Sequence, residues 1–191
     1  MSEFIPPILK RVKEAGFVVF GASRDYDLNI IAIRSPNREA NEFDDELIVV
    51  YAVDGLYRAE HFRCTTDPGS YWLQLLDYKP TAILAAGQYR GAWRIGKHRG
   101  RYEALIQSKP VVVHRDGDKD NIINLSAPTE EGLFGINIHR ANKNESSTRV
   151  EKWSAGCIVL NKGFSRFMYL CNLQQKFNPT YTSYSVTLLE D

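Results

Sequence analysis

The sequence has little that would fix it to a membrane or a metal. No apolar run in its 191 residues approaches the roughly 20 residues that a membrane-spanning helix needs, so no membrane partner is expected. Its three cysteines, Cys64, Cys157 and Cys171, are odd in number and form no Cys-x-x-Cys pair. That pattern argues against a disulfide framework and against a zinc site. "DGDKDN", Asp116 to Asn121, alternates carboxylates as a calcium loop does. The positions where such a loop needs glycine and glutamate hold Asn121 and Ala127 instead, so the reading is a charged turn. Neither a metal nor a cofactor is expected. Repeats, low-complexity tracts and linkers are also missing, and residues 1–191 read as a single domain.

A large excess of one charge is missing too. The 24 Lys and Arg nearly balance the 23 Asp and Glu, for a net charge of +1, which weighs against a nucleic-acid partner. The start, "MSEFIPPILKRVKEAGF", carries no apolar core of a secretory leader. The expectation is synthesis in the cytoplasm, with any work outside it depending on another route of release.

What the sequence does have is strand signal. "FVVFGA", "LNIIAIRS", "ELIVVYAV" and "TAILAAG" are short apolar or alternating runs bounded by turn residues, followed by "AWRIG", "RYEALIQS", "PVVVHRD", "LFGINIH", "GCIVLN" and "YTSYSVTLL". "DPGS", Asp67 to Ser70, reads as a turn. A short helix is expected over Ile8 to Ala15, opened by Pro6 and Pro7 and ended by Gly16. A second is expected over "GFSRFMYLCNLQQKF", with Phe164, Phe167, Met168 and Cys171 on one face. The expected fold is mainly β (α+β), with mixed sheets packed face to face and a helix near each end.

The chemistry is concentrated in "FGINIHRANKNESSTRVEKWSAGCIVL", Phe134 to Leu160. Alternation in "GINIH" puts Ile136 and Ile138 on one face and Asn137 and His139 on the other. If this strand neighbours the one that begins after Cys157, imidazole and thiol meet, and a base beside a thiol is what a cysteine nucleophile requires. Gly156 removes a Cβ from the backbone beside the thiol, and the N–H groups of Gly156 and Cys157 can face an oxyanion. From spacing alone, two core side chains bracketing a loop remain the more ordinary reading.

The local sequence adds to this. His139, then fourteen residues, then Ser154-Ala155-Gly156-Cys157-Ile158 resembles the active-site motif of the L,D-transpeptidase catalytic domain family. "AGQYRGAWRIG" resembles the glycine-punctuated strand upstream of it, so the resemblance covers about residues 80–165 and leaves 1–79 outside. It implies an L,D-transpeptidase-like fold and action on peptidoglycan stem peptides through a thioester. Carried onto this chain, it implies Cys157 as nucleophile, His139 as base, Gly156 and Cys157 as oxyanion donors and Ser154 as the residue that orders the loop. A backbone carbonyl or a small polar side chain, with Asn137 the candidate, would orient the histidine. Arg140, Ala155 and Val159 stand where the family usually has glycine, His or Arg, and Arg. The chain therefore departs from the usual recognition pattern while keeping nucleophile and base. With no leader or wall-binding module in view, it resembles phage lysins or secreted effectors, which favours hydrolysis over cross-linking.

The stretch Gln88 to Tyr102 holds Arg90, Arg94, Lys97, Arg99, Arg101 and His98 without a single acid. It is read as the solvated face of a strand pair, as a holder of stem-peptide carboxylates, or as a nucleic-acid surface. For an enzyme, Arg90, His98, Tyr102, Arg140 and Trp153 are candidate substrate contacts, and His98 is a rival base. Three rivals to a wall hydrolase stay open: an L,D-transpeptidase proper, a non-catalytic wall-binding or virion protein, and a nucleic-acid-binding domain.

Overall fold

The computed structural model describes residues 5–75, 80–143 and 146–191. Residues 1–4, 76–79 and 144–145, the last pair within the loop after His139, lie outside the described residues. Helix α1 (Pro7–Glu14) precedes three strands, β1 (Asn29–Arg34), β2 (Asp45–Val53) and β3 (Leu56–Thr65). A one-turn helix α2 (Ser70–Gln74) leads to β4 (Thr81–Leu84), β5 (Gly87–His98), β6 (Tyr102–Gln107), β7 (Val111–Asp116) and β8 (Thr129–Gly132). Short strands β9 (Ile138–Arg140) and β10 (Ile158–Leu160) follow, then α3 (Phe164–Phe177) and β11 (Tyr184–Glu190). No helix among the described residues is long and apolar enough to cross a membrane.

Eight strands form a closed barrel in the order β1-β11-β5-β6-β9-β10-β3-β2, and β4-β7-β8 form a second sheet. The protein is therefore mainly β with a helix near each end. The larger sheet closes on itself instead of lying open against a second one. Two of its pairings are parallel, β1 with β11 and β9 with β10. The second sheet turns Ala82, Leu84, Val111 and Val113 into the same core as the barrel's Trp93, Leu105, Ile138 and Leu160. The apolar face of α3, Phe164, Phe167, Met168 and Cys171, joins that core.

Strands β1 and β2 are apolar on both faces because both are covered. Ile30, Ala32, Leu47 and Val49 point into the barrel, while Ile31, Ile48 and Val50 pack under Leu9 and Val12 of α1. Asp54 and Gly55, both with positive φ (53° and 75°), make the tight turn that pairs β2 with β3.

Phe17–Ala22, expected as a strand, is not one. Its backbone is paired by side-chain amides: Gln88 accepts from Val18 N–H and donates to Val18 C=O. Asn29 does the same for Phe20. These bonds satisfy the backbone as a neighbouring strand would, without a ladder. "DPGS" does not close a hairpin, because Gly69 is the residue from which α2 starts.

The end of β1 carries a fully buried cation. Arg34 Nε donates to Thr66 Oγ1 (3.0 Å) and lies 2.9 Å from Asp67 Oδ1, which accepts no hydrogen bond and meets the guanidinium through charge alone. Its other nitrogens reach Leu84 C=O (2.9 Å) and Glu190 Oε1 (3.2 Å). One side chain thus ties β1 to the segment after β3, to β4 and to β11. Burial pushes the Asp67 carboxyl up, and Arg34 opposes that shift.

Candidate active site

The parallel pairing of β9 with β10 builds the site. Parallel neighbours cannot be joined by a tight hairpin, so the chain leaves β9 and returns through a long loop to start β10 at Ile158. In register, Ile158 lies opposite Ile138 and Val159 opposite His139. Ile136, Ile138, Ile158 and Leu160 enter the barrel core. Asn137, His139, Cys157 and Val159 fall on the other face. Cys157 therefore precedes Val159, the register partner of His139, by two residues and falls on the same face.

The returning loop is clamped by residues far away in sequence. Asn41 C=O accepts from Val150 N–H (3.1 Å), Asn41 Oδ1 accepts from Glu151 N–H, and Asn41 Nδ2 donates to Glu151 Oε1 (3.0 Å). Gly69 N–H donates to Ser154 C=O (2.9 Å), and Trp72 Nε1 donates to Lys152 C=O (3.3 Å). Asn41, Gly69 and Trp72, which lie outside the sequence resemblance, hold this loop. Ser154, fully buried, accepts from Gly156 N–H (3.0 Å) and donates to Cys157 C=O (2.8 Å), closing the turn before the thiol. Gly156 is required sterically: at φ 112°, a Cβ would fall 2.0 Å from Ala82 C=O of β4. Its freedom thus serves an approach to β4. Because Gly156 N–H is used by Ser154, Cys157 N–H is the backbone donor left for an oxyanion.

Cys157 is partly exposed as a residue. Asn137 N–H points at Sγ (3.5 Å), and Sγ–H donates to Gly135 C=O (3.4 Å). The Gln107 side chain shapes that carbonyl's loop, accepting from Phe134 and Ile136 N–H and donating to Gly132 C=O. These bonds explain why "LFGINIH" becomes a strand only from Ile138. No spacing in the sequence marks Gln107 or the clamp residues Asn41, Gly69 and Trp72.

The histidine's tautomer follows from its partner. His139 Nδ1 lies 2.9 Å from Arg140 C=O, so Nδ1 carries the proton and Nε2 keeps its lone pair, the form a general base needs. Tyr102 OH stands 3.5 Å from the same carbonyl and from Nδ1, and Arg140 lies over the Tyr102 ring, 4.1 Å from its centre. His98 stacks on His139 with ring centres 4.0 Å apart. Asn137 does not orient His139. Its Oδ1 accepts from Gln107 N–H (3.0 Å), which fixes the amide so that Nδ2 donates to His98 Nδ1 (3.2 Å). His98 is thereby neutral with its Nδ1 lone pair occupied, and that nitrogen serves no other proton. Trp153 stands exposed on the loop. Arg90 is not part of this site and lines a different cavity, near the other end of β5.

Electrostatics keep the resting pair uncharged. Burial lowers the His139 pKa to about 3, with His98 and Arg99 adding to the shift and the Arg140 carbonyl opposing it. Burial raises the Cys157 thiol, against the Asn137 N–H and Arg99. Stability should follow. A histidine depressed in the folded state favours folding fully above its unfolded pKa of about 6.5, and this contribution is lost as pH falls from there towards 3. The full loss is on the order of 5 kcal/mol for a shift of this size, most of it above pH 4. Urea melts of wild type and His139→Gln at pH 7.5 and pH 4 check this: the wild type should lose the extra stability on acidification, and the variant should not.

Against models of known protein families, curated proteins and solved structures, the chain matches none.

Proposed function

We propose that this protein is a cysteine-dependent acyl-transfer enzyme of L,D-transpeptidase type that opens amide bonds in peptidoglycan stem peptides, with water as acceptor. The observation that carries this reading is the outer-face arrangement of Cys157 and His139, with the histidine locked by Arg140 C=O in the tautomer that leaves Nε2 free. The motif His139…Ser154-Ala155-Gly156-Cys157 supplies the substrate class by resemblance. A neutral thiol beside a neutral imidazole suits general-base catalysis, in which the proton moves as Sγ attacks. Sγ bonds to the substrate carbonyl carbon, His139 Nε2 takes the thiol proton, and Cys157 N–H faces the developing oxyanion. Collapse breaks the C–N bond, the amine leaves with the proton from His139, and a thioester remains on Cys157. Water, deprotonated by His139, then releases the acid and regenerates the thiol. Partial exposure of Cys157 gives water access to that thioester.

A cavity of about 240 Å³ bordered by Arg140, the residue after His139 in sequence, supports an acidic substrate. Arg140, Lys143 and Lys162 line it beside Ser146 and Ser165, and stem peptides carry carboxylates that such cations hold. A second reading, binding of wall peptides without turnover, draws on the depressed basicity of His139.

One experiment decides between them. Purified muropeptides of defined stem length are incubated with the protein, and products are read by mass spectrometry. Loss of a residue with gain of water supports hydrolysis, and exchange for an added D-amino acid supports transpeptidation. Substrate retained on the protein but unchanged at every stem length favours binding alone.

A further inference from the structure

A second cavity of this protein lies away from Cys157. It has a volume of about 520 Å³, within the range of small-molecule sites. It lies where β5 begins and β11 is entered. Arg90 belongs to the same strand as His98, eight residues earlier, a distance of about 25 Å at ~3.3 Å per residue. Nothing in the chemistry above uses it.

Its lining is unusual in kind. The sequence "TYTSYS", Thr180 to Ser185, is six consecutive hydroxyl-bearing residues, and all but Tyr184 face the cavity. Tyr184 turns into the core and donates to Cys171 C=O (2.8 Å). Arg90 and Lys109 border the same space, and neither pairs with a carboxylate among the described residues. Asp27 stands among the lining residues, its carboxyl raised by burial and accepting no hydrogen bond among the described residues. Phe20 and Tyr181 add aromatic rings, with the Arg24 guanidinium over one face of Tyr181, 5.4 Å from its centre.

The walls are held in advance. Gln174, nearly fully buried, accepts from Leu28 N–H (3.0 Å) with Oε1, and Nε2 points at Ser183 C=O (3.4 Å). One amide thus fixes both rims. Gly91 N–H donates to Ser185 Oγ (3.0 Å). A Cβ on Gly91 would fall 2.9 Å from Ser183 Oγ and 3.2 Å from Lys109 Nζ. Hydroxyl and ammonium therefore converge on one point, and the missing side chain keeps that point open.

We propose that this cavity binds an anionic saccharide, with Arg90 and Lys109 on its carboxylate or phosphate, and Asp27 and the Thr180–Ser185 hydroxyls on its hydroxyl groups. Two unpaired cations alone would suit any anion. The run of hydroxyls, a carboxylate without a donor and aromatic faces select an anion that also carries hydroxyls and an apolar ring face. The site stands on the cavity alone and does not depend on Cys157.

Calorimetric titration of the full chain tests it with five probes at millimolar concentration. These are N-acetylmuramic acid, glucose 6-phosphate, neutral N-acetylglucosamine, lactate and inorganic phosphate. One or both anionic sugars should bind, and which does so separates carboxylate from phosphate recognition. The neutral sugar and the bare anions should bind at least about tenfold more weakly, as expected for each lost charge-assisted contact. Arg90→Ala with Lys109→Ala, both exposed positions, should weaken the anionic sugar by a similar factor, as should Asp27→Asn. Cys157→Ala should leave it unchanged. The proposal is overturned if neither anionic sugar binds, if the neutral sugar or a bare anion binds as tightly, or if the Arg90 and Lys109 substitutions change nothing.

Discussion

Cys157→Ala should leave the barrel folded and remove muropeptide turnover, by a factor on the order of 10⁴ or more, as loss of a nucleophile does where the remaining groups act as a unit with it. The fold is expected to survive because Sγ makes only two weak contacts, with Asn137 N–H and Gly135 C=O, and the turn before it is closed by Ser154 and Gly156. Truncating one partner of such a bond costs about 1 kcal/mol. Binding of the stem peptide should persist, since the cations Arg140, Lys143 and Lys162 are untouched. Cys157→Ser should behave like the alanine variant, because a hydroxyl is harder to deprotonate than a thiol and His139 is a weak base in its buried setting. Turnover and equilibrium binding measured on the same preparations check both halves.

Arg34→Met should be the most damaging substitution for stability. It removes a guanidinium with no exposure and leaves Asp67 buried beside it without its counter-charge. Breaking a buried pair on one side costs about 3–5 kcal/mol, which for a chain of this size lowers the melting temperature by about 10 °C. The deficit should shrink on acidification. Asp67 already has a raised pKa, and without Arg34 its neutral form is favoured further, so stability is retained at low pH and lost as pH rises through that pKa. Asp67→Asn in the Arg34→Met background should recover part of the loss. A thermal melt of the two single variants and the double variant, each at pH 5 and pH 8, completes the cycle.

Much of the strand content of both sheets was legible because several strands are apolar on a face or on both. β1, β2, β4 and β7 announce themselves, and so does α3 through Phe164, Phe167 and Cys171. β3 was not expected: "LYRAEHFRCT" presents mostly exposed polar residues until Phe62 and Cys64 turn inward, and the Asp54-Gly55 turn that pairs it with β2 is visible in the structure. Phe17–Ala22 misled in the opposite sense. It has a strand's composition, but its partners are the amides of Gln88 and Asn29, and no local pattern announces a side chain that substitutes for a ladder. Closure of the sheet was equally hidden, because it rests on β11 pairing in parallel with β1 across most of the chain.

At the candidate site, alternation in "GINIH" correctly separated Ile136 and Ile138 from His139, since strand faces are a local property. The long-range bonds were beyond reach. The bonds from Asn41, Gly69 and Trp72 to the loop join residues about 80 to 110 positions apart, without periodicity to reveal them. The role of Gly156 also changed for this reason, because the carbonyl it must pass belongs to Ala82. Arg90 looked like a companion of His98 in the basic stretch. They lie eight residues apart on β5, which runs for twelve residues, so Arg90 falls near its start and His98 at its end.

The central claim is a thioester on Cys157. It is tested most directly by acid-quenching a mixture of the protein and a muropeptide at successive times and weighing the intact protein. A transient mass increase equal to the acyl part of the substrate should appear, mapped by digestion to the peptide that contains Cys157 and absent from Cys157→Ala. Products that form with no adduct on Cys157 at any time, or that form equally with Cys157→Ala, would contradict it.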